Sequence, residues 1–79
     1  MEDVDGELLR ALKARRTELA RANKVPSYVI FPDRTLIQIA AARPETIEDM
    51  AGIHGVGERK LEKYGEAFLA VVRAGPSAE

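Results

Sequence analysis

An all-α fold, a compact bundle of four or five short helices, is predicted by three features of this sequence. Helix formers (Ala, Leu, Glu, Arg and Lys) fill most positions, and only 5% of residues are aromatic. Apolar residues recur at the three- and four-residue spacing of amphipathic helices. The one β-like stretch, VPSYVIFP at 25–32, is bracketed by prolines, and no second run exists to pair with it.

The first helix is expected from about residue 5 to Asn23. Leu8, Leu12 and Leu19 recur at helical spacing with Leu9 beside them, while Arg10, Lys13, Thr17 and Arg21 fall on the opposite side. Asp3 or Asp5 can cap it, and acids in the first turn suit the helix dipole. Pro26 biases Val25 away from helical angles and so ends it. Residues 25–32 read best as an ordered extended loop laid over the helical core. From Asp33, DRTLIQIAAA gives a second helix that turns Leu36, Ile39 and Ala40 inward and stops at Pro44. Thr46 and Asp49 have the spacing of a capping box, so a short helix runs from 46 to about 52 with Ile47, Met50 and Ile53 toward the core. Beyond the glycines at 52–57 the helical pattern resumes through Leu61, Tyr64, Phe68, Leu69, Val71 and Val72. Gly65 is a candidate break within it, and Gly75-Pro76 a stop. One core is expected to unite Leu12, Leu36, Ile39, Ile53, Leu61, Phe68 and Val72. The folded unit is expected over 5–74, with flexible ends at 1–4 and 75–79.

The totals exclude several classes of function. A chain of 79 residues supports one small domain, expected as a monomer. With no cysteine there is no disulfide framework or thiolate metal site, and one histidine, His54, does not make a zinc centre. His54 reads as a partly exposed turn residue. No carboxylate pair, nucleophile–base pair or metal cluster is readable, so neither catalysis nor a cofactor is expected. No apolar run approaches the roughly 20 residues that cross a bilayer. The N-terminal MEDVDGE is acidic where a secretory signal is basic, and a soluble cytoplasmic protein is the expectation.

Net charge is −1, from 12 basic and 13 acidic side chains, but the charges are segregated. Glu2, Asp3, Asp5 and Glu7 form an acidic head; Arg10, Lys13, Arg15, Arg16, Arg21 and Lys24 follow against Glu18 alone. Local clustering matters more than the total for a polyanionic partner.

Two stretches carry candidate chemistry. GIHGVGERKLEKYG, residues 52–65, is not a P-loop: counting from Gly52 places Glu58 where the phosphate-binding lysine belongs, and no strand precedes it. Gly55-Val56-Gly57 also lacks the third glycine of a dinucleotide fingerprint. The pattern fits a helix-hairpin-helix corner with Val56 as its inward pin. The glycines then either serve only a tight junction that needs positive φ, or present helix-start amides to an anion within reach of Lys60 and Lys63. Tyr64 reads as a core or half-core residue. Tyr28, in the proline-bounded stretch near Lys24 and Arg34, has two readings of equal weight. It stacks on a base of a single-stranded nucleic acid, or it closes the bundle with Val29, Ile30 and Phe31.

Val25-Pro26-x-Tyr28-Val29-Ile30-Phe31, Thr35-Leu36, Gly55-Val56-Gly57 and Lys60-Leu61-x-x-Tyr64-Gly65, in that order, resemble the HRDC (helicase and RNase D C-terminal) domain, most closely that of bacterial RecQ helicases. The resemblance spans about Leu8 to Ala74. It implies an auxiliary helical domain of a DNA-unwinding enzyme acting in repair and recombination, with ATP hydrolysis located elsewhere in a parent protein. It further implies weak binding of single-stranded or structured DNA through Tyr28. The basic surface is assigned from this sequence to Arg21, Lys24 and Arg34 first, then Arg59, Lys60 and Lys63. The alternative is a regulatory module that docks on the helicase core or a partner protein, a role an acidic N-terminal face would serve. An RNase D-like parent would make RNA the ligand.

Overall fold

Leu8, Leu12 and Ala20 lie four or eight residues apart along one ridge of the 18-residue helix α1 (Gly6–Asn23), and all three are buried. Leu19 lies beside this ridge and is half-buried against the core. The fourth position of the ridge is Arg16, whose side chain is only 12% exposed. The computed structural model describes residues 6–74. The expected caps Asp3 and Asp5 and the ends at 1–4 and 75–79 lie outside the described residues.

α1 ends in a Schellman motif. The Lys24 amide donates to the Arg21 carbonyl (3.2 Å) and the Val25 amide to the Ala20 carbonyl (3.0 Å). Lys24 takes the left-handed position (φ 58°) that glycine usually fills. In place of the expected extended loop, Ser27–Ile30 forms a single helical turn, α2. Pro26 supplies the extended entry angle and its carbonyl accepts from the Val29 amide at 3.0 Å. A helix of four residues has no stability of its own. Ile30 and Phe31, both fully buried, hold it against α1.

Pro32 starts α3 (Asp33–Ala42), and Thr35, Leu36, Ile39 and Ala40 form its buried face. Arg43 (φ 50°) ends it in the left-handed conformation, donating its amide to the Ile39 carbonyl, with buried Pro44 next. α4 (Ile47–Ala51) begins as its capping spacing requires: the Thr46 hydroxyl accepts from the Asp49 amide at 3.0 Å. Gly55 adopts φ +97°, and a Cβ there would run into the Thr35 hydroxyl. Gly57 has no such constraint, so only one of the two corner glycines is demanded by the backbone. Val56 is buried between them.

α5 (Glu58–Ala74) is one continuous 17-residue helix, and Gly65 does not break it. Gly65 is where α4 approaches: a Cβ would lie 3.1 Å from Leu61 Cδ1 and 3.2 Å from Ile47 Cδ1. α5 packs against both α1 and α4 and brings Tyr64, Phe68 and Leu69 into the core. Leu61 and Val72, expected inside, are half-buried at its margin. Near its C-terminal end, Arg73 donates from Nε (3.2 Å) and Nη2 (2.9 Å) to the Glu45 carbonyl, tying α5 to the α3–α4 connection. Among the described residues all regular structure is helical, as the sequence predicts.

Candidate nucleic-acid interface

α2 sorts its side chains sharply. Ile30, with Phe31 immediately after it, points into the core, which leaves Tyr28 70% exposed on the outer side of the same turn. Among the described residues Tyr28 is the most exposed of the large hydrophobic side chains; Ile37 (40%) and Val29 (39%) follow. Closing the bundle falls to Ile30 and Phe31, so of the two readings of Tyr28 the lid is removed.

Phe31 is the anchor of this segment. Its ring meets Phe68 edge-on at 5.2 Å and Tyr64 at 6.5 Å. Lys60 Nζ stands 5.9 Å from the Phe31 ring centroid, and Lys63 Nζ stands 5.6 Å from that of Tyr64. The two lysines thus stand beside the rings of the aromatic cluster. His54 and both corner glycines are exposed, and Tyr64 is buried.

The other basic residues expected at the site are distributed over three elements. Arg21 occupies the last turn of α1, Lys24 the left-handed position after it, Arg34 the first turn of α3, and Arg59 the first turn of α5. All four are exposed, and none forms an ion pair among the described residues. Lys24 precedes Tyr28 by a single connecting turn. Its charge also suits the negative end of the α1 dipole.

Two further cations border the segment. Arg16 Nη1 donates to the Phe31 carbonyl at 2.9 Å and pairs with Asp33 at 2.8 Å. The Arg16 hydrogen bond to the Asp33 carboxylate, then the Arg16 charge and then Lys13 hold the Asp33 carboxyl below the usual aspartate range. Arg16 was legible as an anomaly: a charged residue in register with Leu8, Leu12 and Ala20 on the buried ridge. Among the described residues no group of three or more His, Cys, Asp or Glu side chains could hold a metal ion. Among the described residues no helix is long and apolar enough to cross a membrane.

A family model described as the HRDC domain matches residues 5–72. The chain belongs to the HRDC domain family. A solved structure described as D. radiodurans RecQ HRDC domain 3 superimposes with a TM-score of 0.84 at 34% identity, covering 86% of this chain and 90% of that one. The ATP-dependent DNA helicase UvrD2 of Mycobacterium tuberculosis is 48% identical over 71 residues, 90% of this chain and 10% of that protein. The ATP-dependent DNA helicase RecQ of Bacillus subtilis is 38% identical over 68 residues, 86% of this chain and 12% of that protein. This HRDC domain therefore spans about a tenth of the length of the curated relatives it matches. It is an accessory domain, and in those relatives the helicase core lies outside the matched region.

Proposed function

We propose that this HRDC domain is an auxiliary DNA-binding module of a RecQ-type or related helicase, binding single-stranded or structured DNA weakly and tuning which substrates the parent engages. The observation that carries this reading is Tyr28, 70% exposed on a turn anchored by the buried Ile30 and Phe31. An aromatic ring held in solvent on an anchored turn offers a stacking face, and Lys24, Arg21 and Arg34 supply cations for the flanking phosphates. Arg59, Lys60 and Lys63 extend the basic surface along α5, with the last two backed by the aromatic cluster. ATP hydrolysis belongs to other parts of the parent protein, and the setting is the cytoplasm, at the nucleoid if the parent is bacterial.

Three or four phosphate contacts give a shallow electrostatic contribution, and one stacked ring adds roughly 1–3 kcal/mol. Micromolar or weaker affinity in low salt follows. Fluorescence anisotropy with a labelled single-stranded oligonucleotide, repeated across salt concentrations, tests the assignment. Tyr28→Ala should weaken binding roughly 5- to 150-fold and leave the salt slope unchanged, because stacking releases no counterions. Lys24→Ala should flatten the slope by about one phosphate contact. A folded wild-type domain with no detectable binding in low salt overturns this reading. Exposed Tyr28, Val29 and Ile37 would then serve a protein-docking role.

A further inference from the structure

We infer that Arg16 is the positioning residue of the Tyr28 turn, a guanidinium clamp that fixes the exposed ring from inside the bundle. The inference rests on the reading of Tyr28 as the DNA contact, and it names the group on which that contact depends.

Arg16 occupies the one charged position on the Leu8–Leu12–Ala20 ridge, where an apolar residue would complete the core. Its side chain is 12% exposed, and its Nε is buried without a hydrogen-bond partner. What the position achieves is reach: Nη1 serves both the Phe31 carbonyl at 2.9 Å and the Asp33 carboxylate at 2.8 Å. These two acceptors flank Pro32, the junction at which α2 ends and α3 begins. Phe31 has extended backbone angles there (φ −154°, ψ 137°), so its carbonyl lies outside any helical ladder and needs a donor.

α2 has four residues and no side-chain cap, too little to hold an orientation alone. Its upstream end is fixed by Pro26 and the Schellman motif of α1. Its downstream end is fixed by the buried Phe31 ring and, through the backbone, by Arg16. Removing the guanidinium frees the downstream backbone while leaving the ring in the core. Tyr28, three residues before Phe31, then samples more orientations and meets a base less often. Arg16 itself is too enclosed to meet a phosphate, so its effect on DNA is indirect.

The test uses the full 79-residue chain, with 15N relaxation as the primary readout and anisotropy with an oligothymidylate as the second. In Arg16→Met, order parameters at residues 27–31 should fall from about 0.85 to below about 0.6, while those of α5 stay rigid. Oligothymidylate affinity should fall at least ~5-fold with an unchanged salt slope, and Arg16→Lys should recover part of both losses. In a Tyr28→Ala background, Arg16→Met should weaken binding no further, since both act through one ring. A folded Arg16→Met variant whose residues 27–31 remain as ordered as wild type overturns the inference. So does a loss that adds in full to that of Tyr28→Ala. If Arg16→Met does not fold, Asp33→Asn, at an exposed position, replaces it. A smaller loosening of 27–31 in that variant is expected, and none overturns the clamp. If the wild-type chain binds no oligothymidylate, the DNA reading of Tyr28 fails, while the order parameters still decide whether Arg16 holds the turn.

Discussion

Gly55→Val tests the corner on which α4 and α5 turn. Gly55 has φ +97°, and its missing Cβ would collide with the hydroxyl of Thr35, a residue only 2% exposed. Forcing a β-branched residue into that backbone region costs roughly 1–3 kcal/mol. Pushing aside a side chain enclosed in a packed interior costs roughly 1–3 kcal/mol more. The sum, about 2–6 kcal/mol, is a large share of the ~4–12 kcal/mol expected for a domain of this length. At roughly 4–8 °C per kcal/mol, the melting temperature should drop by about 10 °C or more. Gly57→Ser is the control, because a Cβ there has nothing within 4 Å and φ is not positive. Gly57 occupies the N-cap position, its carbonyl accepting from the Leu61 amide at 2.8 Å, so serine should be neutral or stabilising by a few tenths of a kcal/mol. Thermal and urea melts followed by circular dichroism give both numbers. Thr35→Ala should recover the steric part of Gly55→Ala and leave the backbone part, a coupling of about 1 kcal/mol. Equal melting of Gly55→Val and Gly57→Ser would refute the reasoning.

Lys24→Gly should separate stability from binding. Relief of the left-handed conformation raises stability by up to ~1 kcal/mol in a urea melt, while loss of the cation flattens the salt slope by about one unit. Gly65→Val should destabilise by about 2 kcal/mol, because its side chain would force apart Leu61 and Ile47, whose terminal methyls already stand 3.1 and 3.2 Å from a Cβ at that position. Urea melts check it, with Gly65→Ala the milder case, since two half-buried side chains have room to give and alanine favours the helix. The Asp33 carboxyl, followed by carbon-detected NMR, should titrate below the usual aspartate range, and Arg16→Met should bring it back up. Because its folded-state pKa is depressed, its contribution is complete above the unfolded aspartate value and disappears as pH falls through the folded one.

Helix α1, the capped start of α4 and the inward faces of α3 were all legible, because spacing, caps and prolines are local signals. The one-turn helix α2 was not. Its apolar, β-branched composition reads as extended, and only burial of Ile30 and Phe31 against α1 makes it helical. Gly65 looked like a breaker because sequence shows a missing side chain but not the helix that needs the space. Tyr28 stayed divided between lid and stacking face because its exposure depends on which side of the α2 turn is buried, and the approach of Lys60 to the Phe31 ring depends on a contact between α5 and the end of α2. Arg16 passed as one of a basic run, although its register with Leu12 and Ala20 already set it apart.

The placement of α5 has a consequence for how the domain comes into being during synthesis. Phe31 finds its ring partners, Tyr64 and Phe68, only on the last helix in chain order. At about 5–20 residues per second, the 17 residues of α5 take roughly 1–3 s to be made. Until they emerge, α2 and α3 have α1 to pack on but not α5, and the side of Phe31 that meets Tyr64 and Phe68 stands open. A chain stalled before Lys60 already contains Tyr28, Lys24 and Arg16, yet lacks the aromatic partners that seat Phe31. Tyr28, Lys24, Arg21 and Arg34 are synthesised before α5, and the turn that carries Tyr28 is fully seated only when α5 docks.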